Sequence, residues 1–130
     1  MDLIKDDFPK IVDDMLIRHQ SILDILSKGQ EASSRVNRAV IKSVTSCGCI
    51  RVDAHKNSIP ENATIADLKY LLSNHLNGSL CANCREVIET ELGNQLFYIF
   101  ALTNALGLSV NDIMEKEEEK LKTLTVFNFR

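Results

Sequence analysis

An all-α fold is what this sequence predicts, on three observations. Hydrophobic residues make up 45% of the 130 residues while aromatic residues make up 5% and Trp is absent, so the core comes from Leu, Ile, Val and Ala, a mixture that favours helix packing over a β-sandwich. Apolar residues recur at helical spacing in several long stretches. Helix boundaries are marked by Pro, Gly and capping pairs at the places where those stretches begin or end. The length suits one helical domain spanning residues 1–130, with a core that needs no disulfide to stabilise it.

In chain order, Asp7 before Phe8 and Pro9 reads as a helix start, since the first turn has no use for the N–H that Pro lacks. Ile11, Met15, Ile22, Leu23 and Leu26 then form an apolar stripe, and Gly29 is the expected stop of this first helix. His19 has no second His or carboxylate at i+4 and reads as an ordinary satisfied or exposed histidine. A second helix is expected from about Glu31 to Ser46, with Val36, Ala39, Val40, Ile41 and Val44 on its apolar side. Its polar side carries Arg35, Arg38 and Lys42 at i, i+3 and i+7, a basic stripe that is either a solvated face or a site for an anion or phosphate.

Cys47-Gly48-Cys49 leads into Ile50-Arg51-Val52-Asp53, whose alternation permits a short strand, and Asn57 to Asn62 with Pro60 reads as loop. Thr64 and Asp67 fit a capping box, opening a short helix through Leu68, Leu71, Leu72 and Leu76 that Asn77-Gly78 would close. The third main helix begins near Cys84 and runs to Leu106, with Gly107 as its stop; Ser109 and Asp112 cap a fourth. The Glu115 to Lys120 run reads as a solvated face, and the tail from Thr123, with Val126, Phe127 and Phe129, reads as an extended segment.

All four cysteines fall into two chelating pairs, Cys47-x-Cys49 and Cys81-x-x-Cys84. Short spacing lets each pair aim two thiolates at one ion, and the segment between lets the second pair complete a tetrahedron. A structural zinc site on Cys47, Cys49, Cys81 and Cys84 is the leading expectation, with an iron–sulfur site and a thiol switch as the other readings. The metal-binding insert spans about residues 47–84. A zinc held by four thiolates has no open coordination position, so it would hold structure and not activate water.

On the third helix Glu91, Asn94 and Tyr98 stand at i, i+3 and i+7. The run from Glu91-Leu-Gly-Asn-Gln-Leu to Leu106-Gly-Leu108, followed by Asp112-Ile-Met-Glu-Lys-Glu-Glu-Glu-Lys120, resembles the third and fourth helices of the MazG-like all-α nucleoside triphosphate pyrophosphohydrolases, over about a third of the chain. That resemblance implies a MazG-like four-helix bundle, here with a small four-cysteine metal-binding insert between helices two and three, and a homo-oligomer, dimer or tetramer. It also implies magnesium held by carboxylates on helices two and three, where the metal would polarise a triphosphate and position a water. Glu91 matches the first acid of the third-helix motif and Asn94 occupies the place of its Asp. In the second helix Arg35, Asn37, Arg38 and Lys42 stand where carboxylates belong, and cations repel magnesium.

The expected function is therefore a zinc-stabilised MazG-like protein, inactive or altered as a pyrophosphohydrolase, acting by binding a nucleotide or a partner. The alternatives are an active magnesium-dependent pyrophosphohydrolase, with Glu91 and Asn94 as catalytic candidates, and a thiol or metal sensor. The net charge of -3 argues against broad nucleic-acid binding. No stretch approaches the roughly 18 apolar residues of a membrane span and the first residues carry no signal pattern, so a soluble, cytoplasmic protein is expected.

Overall fold

The structure, a computed structural model, describes residues 7–16 and 20–128, with side chains described as far as residue 124. His19 and Phe129 lie outside the described residues. Within them the chain forms five helices, α1 (Phe8–Met15), α2 (Ile22–Lys42), α3 (Ile65–Leu71), α4 (Ala82–Ala105) and α5 (Val110–Asn128), and one antiparallel pair of three-residue strands, β1 (Ile50–Val52) and β2 (Leu76–Gly78). The all-helical expectation holds at that level.

The helix boundaries near the N-terminus differ from the expectation. The chain leaves α1 at Leu16, and a new helix starts at Ser21, whose hydroxyl accepts from the Leu23 N–H. The break shifts the helical phase. Val12, Leu16 and Ile25 are buried instead of Ile11, Met15, Leu23 and Leu26, all of which are exposed. Gly29 stops nothing; it lies inside α2, where a Cβ would stand 3.7 Å from the Tyr98 Cβ, so α2 packs against α4 at this level. α2 and α4 run antiparallel, Gly29 opposite Tyr98 at one level and Ser43 beside Cys84 at the other.

Asn77-Gly78 also acts differently. α3 ends at Leu71, and the Ser73 hydroxyl and Asn74 carboxamide oxygen accept from the His75 and Leu76 N–H groups, turning the chain into β2. The strands pair Ile50 with Gly78, Arg51 with Asn77 and Val52 with Leu76. Both capping residues foreseen at Thr64 and Ser109 are in place: Thr64 and Asp67 form a reciprocal box, and the Ser109 hydroxyl accepts from the Asp112 N–H. The expected extended tail is helical through Asn128, with Thr123 bonding back to the Glu119 carbonyl inside α5.

The core joins α1 to α4. Val12, Leu16, Ile25, Phe100 and Ala101 form one buried cluster, with Phe8, Phe97, Leu102 and Val110 packed against it. Phe8 meets Phe100 edge-on at 4.8 Å between ring centres, a favoured aromatic geometry. The Asn104 carboxamide donates to the Pro9 carbonyl at 2.8 Å, tying α1 to the far end of α4. No single helix among the described residues is long and apolar enough to cross a membrane.

If Gly29 is an interior helical residue and not a stop, Gly29→Ala raises helix propensity without a clash. It should stabilise the protein by about 0.5–1 kcal/mol in denaturant titrations. A loss of stability would show that the backbone there needs glycine.

Candidate metal centre

The four cysteines converge from two local devices. The first is the end of α2, which widens into a π-helical turn over Ser43–Cys47. Ser43 and Thr45 bond back to the Ala39 and Ile41 carbonyls, and the Gly48 N–H closes the turn on the Ser43 carbonyl at 2.9 Å. Gly48 then takes a left-handed conformation, φ 80°, which reverses the chain between Cys47 and Cys49. The second device is the start of α4: Cys81 is its N-cap, its Sγ accepting from the Cys84 N–H at 3.4 Å. The helix therefore begins at Ala82, two residues earlier than expected.

The β1–β2 pair brings these devices together. Gly78 sits so close to the Cys49 carbonyl that a Cβ would lie 2.6 Å from that oxygen, and its φ is +87°. Only glycine fits both demands. Sequence reasoning read Gly78 as a helix stop and missed this role; its presence three residues before Cys81 was the available signal.

All four Sγ atoms lie within 4.8 Å of one another, with Cys84 buried, Cys49 and Cys81 half-buried and Cys47 exposed. They could hold a metal ion. Cys47 and Cys81 stand 3.8 Å apart, far beyond the roughly 2.05 Å of a disulfide. The same distance matches the edge of a tetrahedron with bonds of about 2.3 Å, which is about 3.8 Å. Among the described residues this is the group of three or more ligand side chains that the fold assembles.

The electrostatics favour a cation. The Cys84 amide at the α4 N-terminus is the largest influence on Cys81, whose thiol falls to about 7. For Cys84 the largest influence, a hydrogen bond with Ser43, lowers it, yet Cys81, burial and the other two cysteines together push it up to about 12. One thiolate thus forms readily, and the last proton is retained because like charges would crowd.

The remaining candidates do not join this centre. Arg35, Arg38 and Lys42 are exposed. Arg35 pairs with Glu31 on its own helix at 3.0 Å, and Lys28 reaches the same carboxylate at 3.2 Å. The basic stripe therefore faces solvent and not α4. Glu91 is half-buried, with Oε2 shielded from water and without a hydrogen-bond partner, whereas Asn94 is exposed. Three residues apart on α4 the two remain neighbours on the helix surface, Asn94 on its more exposed edge.

Comparison of the chain with protein-family models, with curated proteins and with solved structures gives no match.

Two outcomes follow. Gly48→Ala meets open space and carries only the left-handed penalty, about 1–2 kcal/mol, while Gly78→Ala adds a collision with the Cys49 carbonyl and should cost more in denaturant titrations. The Cys81 thiol lies below its ordinary value of 9.0, so its thiolate is present above about 7 and lost beneath it. Apparent metal affinity, followed by chelator competition from about pH 8 to about pH 6, should weaken steadily as protons return to the ligands.

Proposed function

We propose that this chain is a zinc-stapled helical scaffold that works by binding a nucleotide or protein partner, and that it descends from the MazG-like pyrophosphohydrolases without their catalytic arrangement. The observation that carries the reading is what α2 presents to α4. Buried Ala32 and Ser43 and half-buried Val36 and Ala39 lie on that side, where the resemblance would require carboxylates facing Glu91. Small uncharged side chains let the helices approach closely, and such a contact supplies no carboxylate ligands for magnesium.

Zinc is the proposed ion because four thiolates this close suit one tetrahedral centre, while an iron–sulfur cluster divides its four thiolates among two or four irons and spreads them. With four thiolates bound, the ion has no free position for substrate, so its work is to hold the end of α2 to the start of α4. A reducing compartment such as the cytoplasm keeps these thiols available for it. The exposed basic stripe of Arg35, Arg38 and Lys42 is the proposed anion-contacting face.

Metal analysis of the purified protein should find about one zinc per chain, lost when Cys84 is replaced by Ser, together with helical signal and thermal stability. Four freely titrating thiols without metal would sink the staple. With nucleoside triphosphates and magnesium, no pyrophosphate release is expected. Robust release that Glu91→Gln abolishes would overturn the non-catalytic reading in favour of a working hydrolase.

A further inference from the structure

We infer that His55 and His75, side by side at the end of the β1–β2 ladder away from the cysteines, form a second metal site that clasps a late first-row divalent ion such as zinc or nickel between two imidazoles. The ladder runs one bond beyond the Val52–Leu76 pair, where the Asp53 N–H donates to the His75 carbonyl at 2.8 Å. Further out, the Ser73 N–H donates to the Asn57 carboxamide oxygen at 3.5 Å. His55 stands in the chain between these two links. Its ring lies against that of His75, with centres 5.1 Å apart and planes tilted by 54°.

The backbone is shaped to put His75 there. Among the described residues it is the one non-glycine with a left-handed conformation, φ 63°. Its N–H donates to the Ser73 hydroxyl at 2.9 Å and its carbonyl takes the Asp53 bond, so both of its backbone groups hold that conformation. Glycine or Asn would make the same turn at less cost. What His adds is an imidazole against the His55 ring.

The ring nitrogens suit a cation. His55 Nδ1 lies 3.3 Å from the Asp53 carbonyl oxygen, and because a carbonyl only accepts, Nδ1 carries the proton and Nε2 keeps a lone pair. Metal-binding histidines are held in this way, one nitrogen donating to a backbone carbonyl and the other free to ligate. His75 Nε2 is shielded from water and has no hydrogen-bond partner. Ring contact alone leaves that nitrogen unsatisfied, whereas an ion between the rings satisfies it. Two imidazoles bound at about 2.0–2.1 Å to one tetrahedral ion place their ring centres about 5 Å apart, as the two rings here already are.

Imidazole selects zinc, nickel or copper, while magnesium and calcium prefer oxygen. Among the described residues no third ligand side chain joins the pair, so water completes the coordination. The site is therefore open, unlike a closed four-thiolate centre, and can accept an oxygen or nitrogen from a bound molecule as a further ligand. The two sites share no ligand, so this one stands whether or not the thiols hold zinc.

Equilibrium dialysis of the full-length, tag-free protein against nickel tests it. About one histidine-dependent nickel per chain is expected. His55→Gln and His75→Asn should each weaken that uptake at least about 10-fold with unchanged helical signal, Asn being a residue that keeps the left-handed turn. His19→Gln, which alters the third histidine of the chain, should leave uptake unchanged. No uptake at nickel concentrations up to about 1 mM overturns the proposal. Uptake that both His55→Gln and His75→Asn retain overturns it as well, and assigns the nickel to other groups such as the thiols.

Discussion

The contact between α2 and α4 is the constraint on which the rest of the molecule depends. Gly29, Ala32 and Ser43 remove side-chain bulk from one face of α2, so a 21-residue helix lies close along a 24-residue one. Both ends of that contact are then fastened. At one end α1 folds back on α4 through the Phe8–Phe100 edge contact and the Asn104 bond to Pro9. At the other, the four thiols gather where α2 ends and α4 begins. The segment between Cys49 and Cys81 is a long connection with substantial closure entropy, and a metal ion held by the four thiols would offset part of that cost by joining its two ends.

The same contact explains why the thiols meet without strain. Each pair is shaped by its own helix end: a widened last turn and a left-handed glycine for Cys47 and Cys49, an N-cap and the first turn for Cys81 and Cys84. Neither device depends on the other, and the β1–β2 ladder sets their separation through Gly78 lying against the Cys49 carbonyl. The α4 N-terminus adds a field that favours negative sulfur. The candidate metal site and the helix scaffold are thus continuous, since the hydrogen bond that starts α4 is accepted by a candidate metal ligand.

Much of the site was readable from residue spacing alone. Chelating pairs are short-range, so Cys47-x-Cys49 and Cys81-x-x-Cys84 identify themselves, and the capping box at Thr64 and Asp67 is likewise local. The misreadings share a cause. Gly29 and Gly78 both read as helix stops, because a glycine needed for close approach looks the same in sequence as one needed for a left-handed turn. Ile11, Met15, Ile22, Leu23 and Leu26 read as one stripe because the sequence between Leu16 and Ser21 contains neither Pro nor Gly to mark the end of α1. The consequence of the break, a shift of phase that buries Val12 and Ile25 instead, depends on where α4 lies.

By itself the sequence determined the helical class, the four candidate ligands and the capped helix starts at Thr64 and Ser109, all of which rest on interactions within a few residues. Only the tertiary structure decided which side of each helix is inward. It set Arg35, Arg38 and Lys42 toward solvent, half-buried Glu91 while Asn94 stays exposed, and left Leu92, Leu96 and Ile99 exposed. The physical reason is that an apolar helix such as α4 offers several faces of nearly equal hydrophobicity, and the choice among them is made by the neighbour it packs against.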